Sequence, residues 1–158
     1  VRLAENQPQR QVHERLRESI YISGSFVRLM VDIPEYHYKE ELRNMKQTKI
    51  TYEAFGDTLL IHMPKELDHH NCRDLKRDTD LMLDENYINR IIFDFGKTEF
   101  MDSSGIGVLL NRYKQMAASR GTVTYYGAGP RVLRILEMGG LVRLIRGFKD
   151  RESALGNL

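Results

Sequence analysis

The hydrophobic residues from about residue 45 onward recur with two different periods, which predicts alternating strands and helices. Short runs rich in Ile, Val, Phe and Tyr have the composition of buried strands. Between the first two runs, Gly56-Asp57 is a turn pair that favours an antiparallel hairpin. The predicted strands cover 49–55, 58–63, 90–95, 122–126 and 144–148.

Apolar residues in the segments between these strands recur at helical spacing. The predicted helices cover 68–84, 103–119 and 130–138, and a short terminal helix begins at Asp150. Asp68 is a suitable N-cap, Pro130 suits a first turn, and Gly121 is expected to close the second helix. The predicted inner faces are Cys72, Leu75, Thr79 and Met82 in the first helix, Ile106, Leu109, Leu110, Tyr113 and Ala117 in the second, and Val132, Leu133 and Leu136 in the third.

This order of elements predicts an α/β fold. Strands that alternate with helices favour right-handed crossovers, so parallel strands are expected beside the antiparallel hairpin. The sheet is predicted to be mixed, with four to five strands and about four helices. Four methionines are expected to fill the core, namely Met82, Met101, Met116 and Met138.

Residues 1–44 do not continue this pattern. A charged helix at 10–17 and a strand at 26–33 are predicted there, but no apolar face joins them. We interpret 1–44 as an N-terminal extension and 45–158 as the domain. The hypothesis is that Met45 is the natural start and that the preceding residues are translated upstream sequence or an added segment. The alternative is a genuine extension that binds a partner.

The composition of the chain is that of an ordinary globular protein. Of its 158 residues, 41% are hydrophobic and 29% are charged, which suits one domain with a sizeable core. A formal net charge of +2, with no basic face that carries aromatic residues, argues against a nucleic-acid partner. No apolar run approaches the ~20 residues that span a bilayer. The single Cys72 suits a reducing compartment, so a cytoplasmic location is expected.

The segment Phe100-Met101-Asp102-Ser103-Ser104-Gly105-Ile106-Gly107 stands where a strand gives way to a helix. The two serines are therefore expected at a helix N-terminus, where free N–H groups and the helix dipole favour an anion. A serine in this position either caps the helix or carries a phosphate. The glycines leave the start of the helix open to a close approach, or serve tight packing against the strand.

A second candidate segment is Leu67-Asp68-His69-His70, followed by Cys72. Two histidines and a cysteine raise the possibility of zinc, but a structural zinc site needs four ligands, usually in two separated pairs. The simpler interpretation is a solvated first turn of a helix. No metal site is expected.

Catalysis is not expected either. Ser103 with a histidine and an aspartate resembles a triad on paper, but Met101 occupies the first glycine position of a nucleophile elbow. No Gly-Lys-Ser/Thr phosphate loop is present, and Gly127-Ala128-Gly129-Pro130 lacks the third glycine of a dinucleotide fingerprint. The chain is predicted to have no catalytic residue and no cofactor.

Over roughly residues 49–155 the sequence resembles the anti-sigma factor antagonists of the STAS (sulfate transporter and anti-sigma factor antagonist) domain family, most of all the sporulation type. The motif around Ser103 matches without a break. Three further segments add to the resemblance: Leu67-Asp68-His69-His70, Arg112-Tyr113-Lys114-Gln115 and Met138-Gly139-Gly140-Leu141. Lys65 departs from it, since sporulation-type antagonists usually have glycine there.

The resemblance implies the STAS fold and a partner-switching function in transcription regulation. In this family the unphosphorylated antagonist binds an anti-sigma factor with serine kinase activity and releases the sigma factor. The kinase then phosphorylates the serine that corresponds to Ser103, using its own ATP, and a PP2C-type serine phosphatase restores the active form. Asp68, His69, Asp102, Ser104, Gly105 and Ile106 are the implied partner contacts. The alternative is a STAS module that acts as a scaffold or ligand sensor without a kinase cycle.

Overall fold

The computed structural model describes residues 19–22, 25–26 and 49–156. Within these residues, the main sheet has seven strands: β1 (Ser19–Ile22), β2 (Ser25–Phe26), β3 (Thr51–Phe55), β4 (Thr58–His62), β6 (Arg90–Asp94), β8 (Thr122–Tyr126) and β9 (Arg146–Phe148). Two very short strands, β5 (Glu66–Leu67) and β7 (Phe100–Met101), form a separate parallel pair. The five predicted strands correspond to β3, β4, β6, β8 and β9. The small β5–β7 pair was not predicted.

All four predicted helices are present in the described part of the chain. They are α1 (His69–Glu85), α2 (Ser103–Ala118), α3 (Pro130–Met138) and α4 (Arg151–Gly156), and a single 3₁₀ turn covers Leu141–Arg143. The polar residues predicted to begin helices do so. The Asp68 side chain caps α1, and Asp150 accepts a hydrogen bond from the Ser153 amide of α4.

The strand order is β2-β1-β3-β4-β6-β8-β9. β3 and β4 form the predicted antiparallel hairpin, with Gly56 at φ +59° as its first turn residue. β4, β6, β8 and β9 are parallel. The fold is therefore the expected α/β class with a mixed sheet.

Residues before Met45 add an edge to this sheet. β1 pairs antiparallel with β3 over four residue pairs, and β2 pairs with β1. The predicted helix at 10–17 lies outside the described residues, as does the predicted strand at 26–33 except for Phe26, which ends β2.

The core lies on both faces of the sheet, as expected where parallel strands are covered on each side. Leu59, Ile61, Ile91 and Phe93 face the larger core together with the buried residues of α1, α2 and α3. On the other face, α4 packs through Ala154 against Leu60, Ile92 and Tyr126. The predicted inner face of α1 is confirmed, because Cys72, Leu75, Thr79 and Met82 are all buried.

The prediction for α2 is correct in its bounds but wrong at one position of its face. Ala117 is exposed, and the centre of the buried face runs through Gly105, Leu109, Arg112 and Met116. Two apolar side chains and a glycine set the centre of this face, and a charged residue completes it. A prediction from hydrophobicity does not count an arginine as buried. The predicted inner face was therefore centred too close to Ile106, Leu110 and Tyr113, which are only partly buried.

Two other local predictions are also wrong. Met138 is not core, since it ends α3 with 76% of its surface exposed. Gly121 does not supply the left-handed residue that closes α2, because that residue is Arg120 at φ 60°. The Arg120 and Gly121 amides donate to the carbonyls of Ala117 and Met116, as in a Schellman motif. Gly121 is required for space instead, because a Cβ there would stand 2.8 Å from the Asn89 carbonyl oxygen.

Candidate functional site

The two helices that carry the candidate residues begin side by side. The β5–β7 pair brings this about, since Glu66 pairs with Phe100 and Leu67 pairs with Met101. The residue that follows each strand is a helix cap, namely Asp68 after β5 and Asp102 after β7. The Asp102 amide donates to the Leu67 carbonyl at 3.1 Å. Asp68 and Asp102 are thus neighbours, although 34 positions separate them in the sequence.

Each aspartate caps its own helix. Asp68 Oδ1 accepts a hydrogen bond from the Asn71 amide at 2.9 Å, and Asp102 Oδ1 accepts one from the Ser104 amide at 2.8 Å. Both helices start beyond the carboxyl ends of β4 and β6, so the positive ends of two helix dipoles meet at one edge of the sheet. This edge favours negative charge more than a single helix start would.

Ser103 is the first residue of α2, and it is exposed. Ser104 is half-buried, and its hydroxyl lies 3.5 Å from Nδ1 of His69 at the start of α1. His69 is itself exposed. The structure therefore brings Asp68, His69, Asp102, Ser103 and Ser104 together around one edge.

The two glycines of the motif differ in their surroundings. Gly105 is buried, and a Cβ at this position would stand 2.6 Å from Cγ of Met101 and 3.2 Å from Cδ2 of Leu67. Gly107 has no atom within 4 Å of such a Cβ. Gly105 thus serves tight packing, whereas Gly107 leaves the outer side of the helix open.

Partly exposed apolar side chains lie beside the edge of the sheet at which α1 and α2 begin. Ile106 is half-buried and lies against the end of α3, where a Cβ on Gly139 would stand 2.7 Å from the Ile106 Cγ2 atom. Phe100 and Met138 are 53% and 76% exposed. Sequence reasoning missed these two side chains, because it placed Met138 in the core and assigned Phe100 no role.

The loops that lead to the two caps are bound to each other. The Lys65 carbonyl accepts hydrogen bonds from the Glu99 and Phe100 amides at 2.8 and 3.2 Å. The Thr98 hydroxyl donates to the Pro64 carbonyl at 2.9 Å. The Lys65 side chain is exposed and lies 3.6 Å from a Glu99 carboxylate oxygen, so the lysine is accommodated at the surface.

Cys72 lies in the core close to both capping aspartates. Burial raises the pKa of its thiol to about 12, and the charges of Asp102 and Asp68 add to this rise. His70, by contrast, faces solvent and contacts Arg73 and Asp74. Within 49–156 the cysteine and the two histidines thus point to different surroundings and do not form a common ligand set.

A buried arginine joins α1 to α2, and the sequence analysis gave it no structural role. Arg112 has no exposed surface, and its Nη2 donates to the Lys76 carbonyl at 3.2 Å and to Asp80 Oδ1 at 2.5 Å. Its Nη1 donates to the Gln115 side chain. Although desolvation alone would raise the pKa of Asp80, hydrogen bonds from Lys76 and Arg112 hold it below its ordinary value. These hydrogen bonds of Arg112 fix the spacing of α1 and α2, the two helices whose N-terminal ends form the site.

Comparison with known proteins identifies the family of this domain. Residues 49–154 match the sequence profile of the STAS domain. Over 110 residues the chain is 30% identical to the anti-sigma F factor antagonist of Paenibacillus polymyxa, and the alignment covers 70% of this chain and 94% of that protein. The chain belongs to the STAS domain family of anti-sigma factor antagonists.

Solved STAS structures have the same fold. The anti-sigma factor antagonist SpoIIAA in its unphosphorylated form matches with a TM-score of 0.61 at 24% identity, covering 69% of this chain and 98% of that one. The Bacillus cell fate determinant SpoIIAA in its phosphorylated form matches with a TM-score of 0.57 at 25% identity, covering 68% and 96%. The family and fold expected from the sequence are confirmed. Within the described part of the chain, none of the STAS helices is long and apolar enough to cross a membrane.

Proposed function

We propose that this chain is an anti-sigma factor antagonist that phosphorylation of Ser103 switches off. In its unphosphorylated form it binds an anti-sigma factor with serine kinase activity and frees the sigma factor. That kinase phosphorylates Ser103 with its own ATP, and a PP2C-type serine phosphatase restores the active form. The chain works in the cytoplasm and performs no catalysis itself.

The observation that carries this proposal is the exposed Ser103 at the start of α2, beside the start of α1. An exposed hydroxyl is reachable by a kinase. Free backbone N–H groups and two converging helix dipoles then stabilise part of the added phosphate charge. Ser104 is a poorer acceptor, because it is half-buried and its hydroxyl contacts His69.

The switch acts through charge at the docking surface. A phosphate adds about −1.5 to −2 charges beside Asp102, on a surface that already holds the Asp68 carboxylate. A like charge of the partner at about 4 Å would cost ~4 kcal/mol at an effective dielectric near 20. Because each 1.4 kcal/mol is about tenfold in affinity, one phosphate weakens such an interface ~100-fold or more.

The partner surface is assigned to the residues around Ser103. Asp68, His69, Asp102 and Ser104 supply polar contacts, and the half-buried Ile106 supplies an apolar one. Gly105 is buried, so it contributes through the close packing that sets the start of α2 and not through a direct contact. The exposed Phe100 and Met138 extend the apolar part of this surface.

Similarity to known proteins supports the same proposal. The relative from Paenibacillus polymyxa is an anti-sigma F factor antagonist, which favours the sporulation sigma factor as the regulated one. The chain also matches the fold of both the unphosphorylated and the phosphorylated form of SpoIIAA. A switch by charge, with no refolding, is consistent with these two matches.

The test is incubation with the candidate kinase and ATP, followed by mapping of the phosphorylated residue and measurement of kinase binding. Ser103→Ala is expected to abolish phosphate incorporation and keep binding, whereas Ser103→Asp weakens binding. Ser104→Ala is the matched control for the acceptor: it should be phosphorylated at Ser103 like the wild type, while its binding falls only by the loss of one polar contact. Phosphate that persists in Ser103→Ala would contradict the assignment of the acceptor. A wild-type chain that neither binds the kinase nor is phosphorylated would favour a scaffold or ligand-sensing STAS module instead.

A further inference from the structure

An arginine is buried without a counter-ion on the sheet face that α4 covers. Arg90 is the first residue of β6, and only 9% of its surface is exposed. Its Nη2 atom donates to the Leu155 carbonyl of α4 at 3.3 Å. The Nε and Nη1 atoms are also buried, and neither has a hydrogen-bond partner within the described part of the chain. No described carboxylate forms an ion pair with this guanidinium.

A second buried arginine, Arg112, shows what such a group requires. It donates to the Asp80 carboxylate, to a backbone carbonyl and to a side-chain amide. Because a guanidinium keeps its charge, it cannot avoid the cost of burial by losing a proton, and a buried charge without a partner is strongly unfavourable. Two carboxylates on the same sheet face as Arg90, Glu53 and Asp94, are hydrogen-bonded to other side chains.

The neighbouring strand adds a second unpartnered group. β8 pairs with β6 so that Thr122 is opposite Arg90, which places Thr124 one step further along on the same face of the sheet. Diagonal neighbours on a sheet face lie within reach of a long side chain. The Thr124 hydroxyl oxygen is buried and has no hydrogen-bond partner among the described residues. Thr122 is exposed, so this end of the sheet adjoins solvent.

The last turn of α4 lies against the Arg90 guanidinium. α4 has six residues, far fewer than an isolated helix needs in water. Its end is attached through the hydrogen bond from Arg90 and through Ala154 and Leu155 in the small core. A single carbonyl oxygen engages only Nη2, whereas Nη1 and Nη2 together form a fork that matches two oxygens of a carboxylate or phosphate. A full negative charge is therefore a stronger partner for Arg90 than the Leu155 carbonyl.

We propose that Arg90 and Thr124 bind a small oxyanion, a carboxylate or phosphate group, and that the last turn of α4 covers this site. The oxyanion replaces the Leu155 carbonyl at Nη2, accepts a second hydrogen bond from Nη1 and a third from the Thr124 hydroxyl. Because these atoms are buried, the end of α4 lifts when the ion enters. The site lies at the start of β6 and Ser103 lies beyond its end, so the proposal does not depend on phosphorylation.

The test is an NMR titration of the isotope-labelled full chain with sodium phosphate or sodium acetate, against sodium chloride at the same ionic strength and mildly acidic pH. The Arg90 Nε–H signal, assigned by its loss in Arg90→Met, is expected to shift saturably with at least one oxyanion and not with chloride. The Nε–H signal of Arg134, an exposed arginine on α3, should show no such shift. At saturation the Leu155 amide should lose hydrogen-exchange protection, while the Phe93 amide keeps it.

The Ile92 amide shift, which every variant retains, measures the affinity. Arg90→Met, which keeps the side-chain length without the charge, should weaken binding about 10- to 100-fold, and Thr124→Val should weaken it less. Arg134→Met is the matched control and should keep the wild-type affinity.

No saturable shift with either oxyanion, or an unchanged affinity in Arg90→Met, would overturn the proposal. Binding that leaves the Leu155 amide protected would also overturn it, because α4 would then not cover the site. If Arg90→Met fails to fold, Arg90→Lys takes its place, since it keeps the charge but removes the fork and should still weaken binding.

Discussion

The two glycines at the start of α2 provide a sharp test of the packing beneath the candidate site. Replacing a glycine inside a helix by alanine removes backbone entropy from the unfolded chain, which stabilises a helix by roughly 0.5–1 kcal/mol. At Gly107 the new methyl group would meet nothing within 4 Å. Gly107→Ala should therefore raise the free energy of unfolding by about this full amount.

At Gly105 the same methyl group would stand 2.6 Å from Met101 Cγ, 2.7 Å from its sulfur and 3.2 Å from a methyl carbon of Leu67. Met101 and Leu67 are 2% and 0% exposed, so relief of this contact requires movement of side chains inside the core. Overpacking of this kind costs typically about 1–3 kcal/mol. After the gain in helix propensity, Gly105→Ala should lower the free energy of unfolding by roughly 0–2 kcal/mol.

The difference between the two variants isolates the contact, because the change in helix propensity is similar in both. Urea unfolding followed by far-UV circular dichroism should place Gly105→Ala about 1–3 kcal/mol below Gly107→Ala, with unchanged m-values. For a chain of this length that corresponds to a difference of roughly 2–12 °C in Tm. Equal stabilisation by both substitutions would refute the close packing of Gly105 against Met101 and Leu67.

Two further predictions concern the elements that hold the site in place. Arg112→Ala should lower the free energy of unfolding by about 2–4 kcal/mol in urea unfolding, because it empties a fully buried position, whereas Arg112→Met should cost less than about 1.5 kcal/mol. Asp80 is 39% exposed in its side chain and keeps Lys76 at 2.8 Å, so neither variant strands a buried charge, and an equal loss in both would contradict this view. Asp68→Ala should cost about 1 kcal/mol through loss of the α1 cap, and Asp68→Asn, which keeps a capping oxygen, should cost less in the same assay.

The long elements of this fold were predictable because their periodicity extends over many residues. In the helix over His69–Glu85, four residues at helical spacing mark the inner face, namely Cys72, Leu75, Thr79 and Met82. The capping Asp68 marks where this helix begins. The hairpin follows from Gly56-Asp57 between two apolar runs. In these segments local propensity, periodicity and turn residues all indicate the same structure, and the structure agrees with them.

The short elements were not predictable, and one of them assembles the site. β5 and β7 have two residues each, which is too few to show any period. The sequence indicated that Ser103 begins a helix and that Asp68 begins another. It contained no signal that the two starts adjoin, because that depends on the pairing of Leu67 with Met101 across a long separation.

Arg112 shows a second limit of reasoning from hydrophobicity. A charged residue in the middle of a helix is normally assigned to the solvent side. Here the Lys76 carbonyl, Asp80 and Gln115 satisfy most of the guanidinium, which makes burial possible. These partners include a backbone carbonyl and a carboxylate of another helix, and neither is visible in the local sequence.

The packing around Ser103 explains how a phosphate there can change binding and leave the fold intact. Leu67 and Met101, which immediately precede the two caps, are buried and paired with each other. Exposing buried side chains of this size to water costs about 1.5–3 kcal/mol each. Repulsion between exposed charges 4 Å apart in water is only about 1 kcal/mol, and the helix N-terminus offsets part of it. The two helix starts therefore stay in place under the proposed modification. The new charge acts instead on an approaching protein, because desolvation at an interface lowers the dielectric and strengthens the same repulsion several-fold.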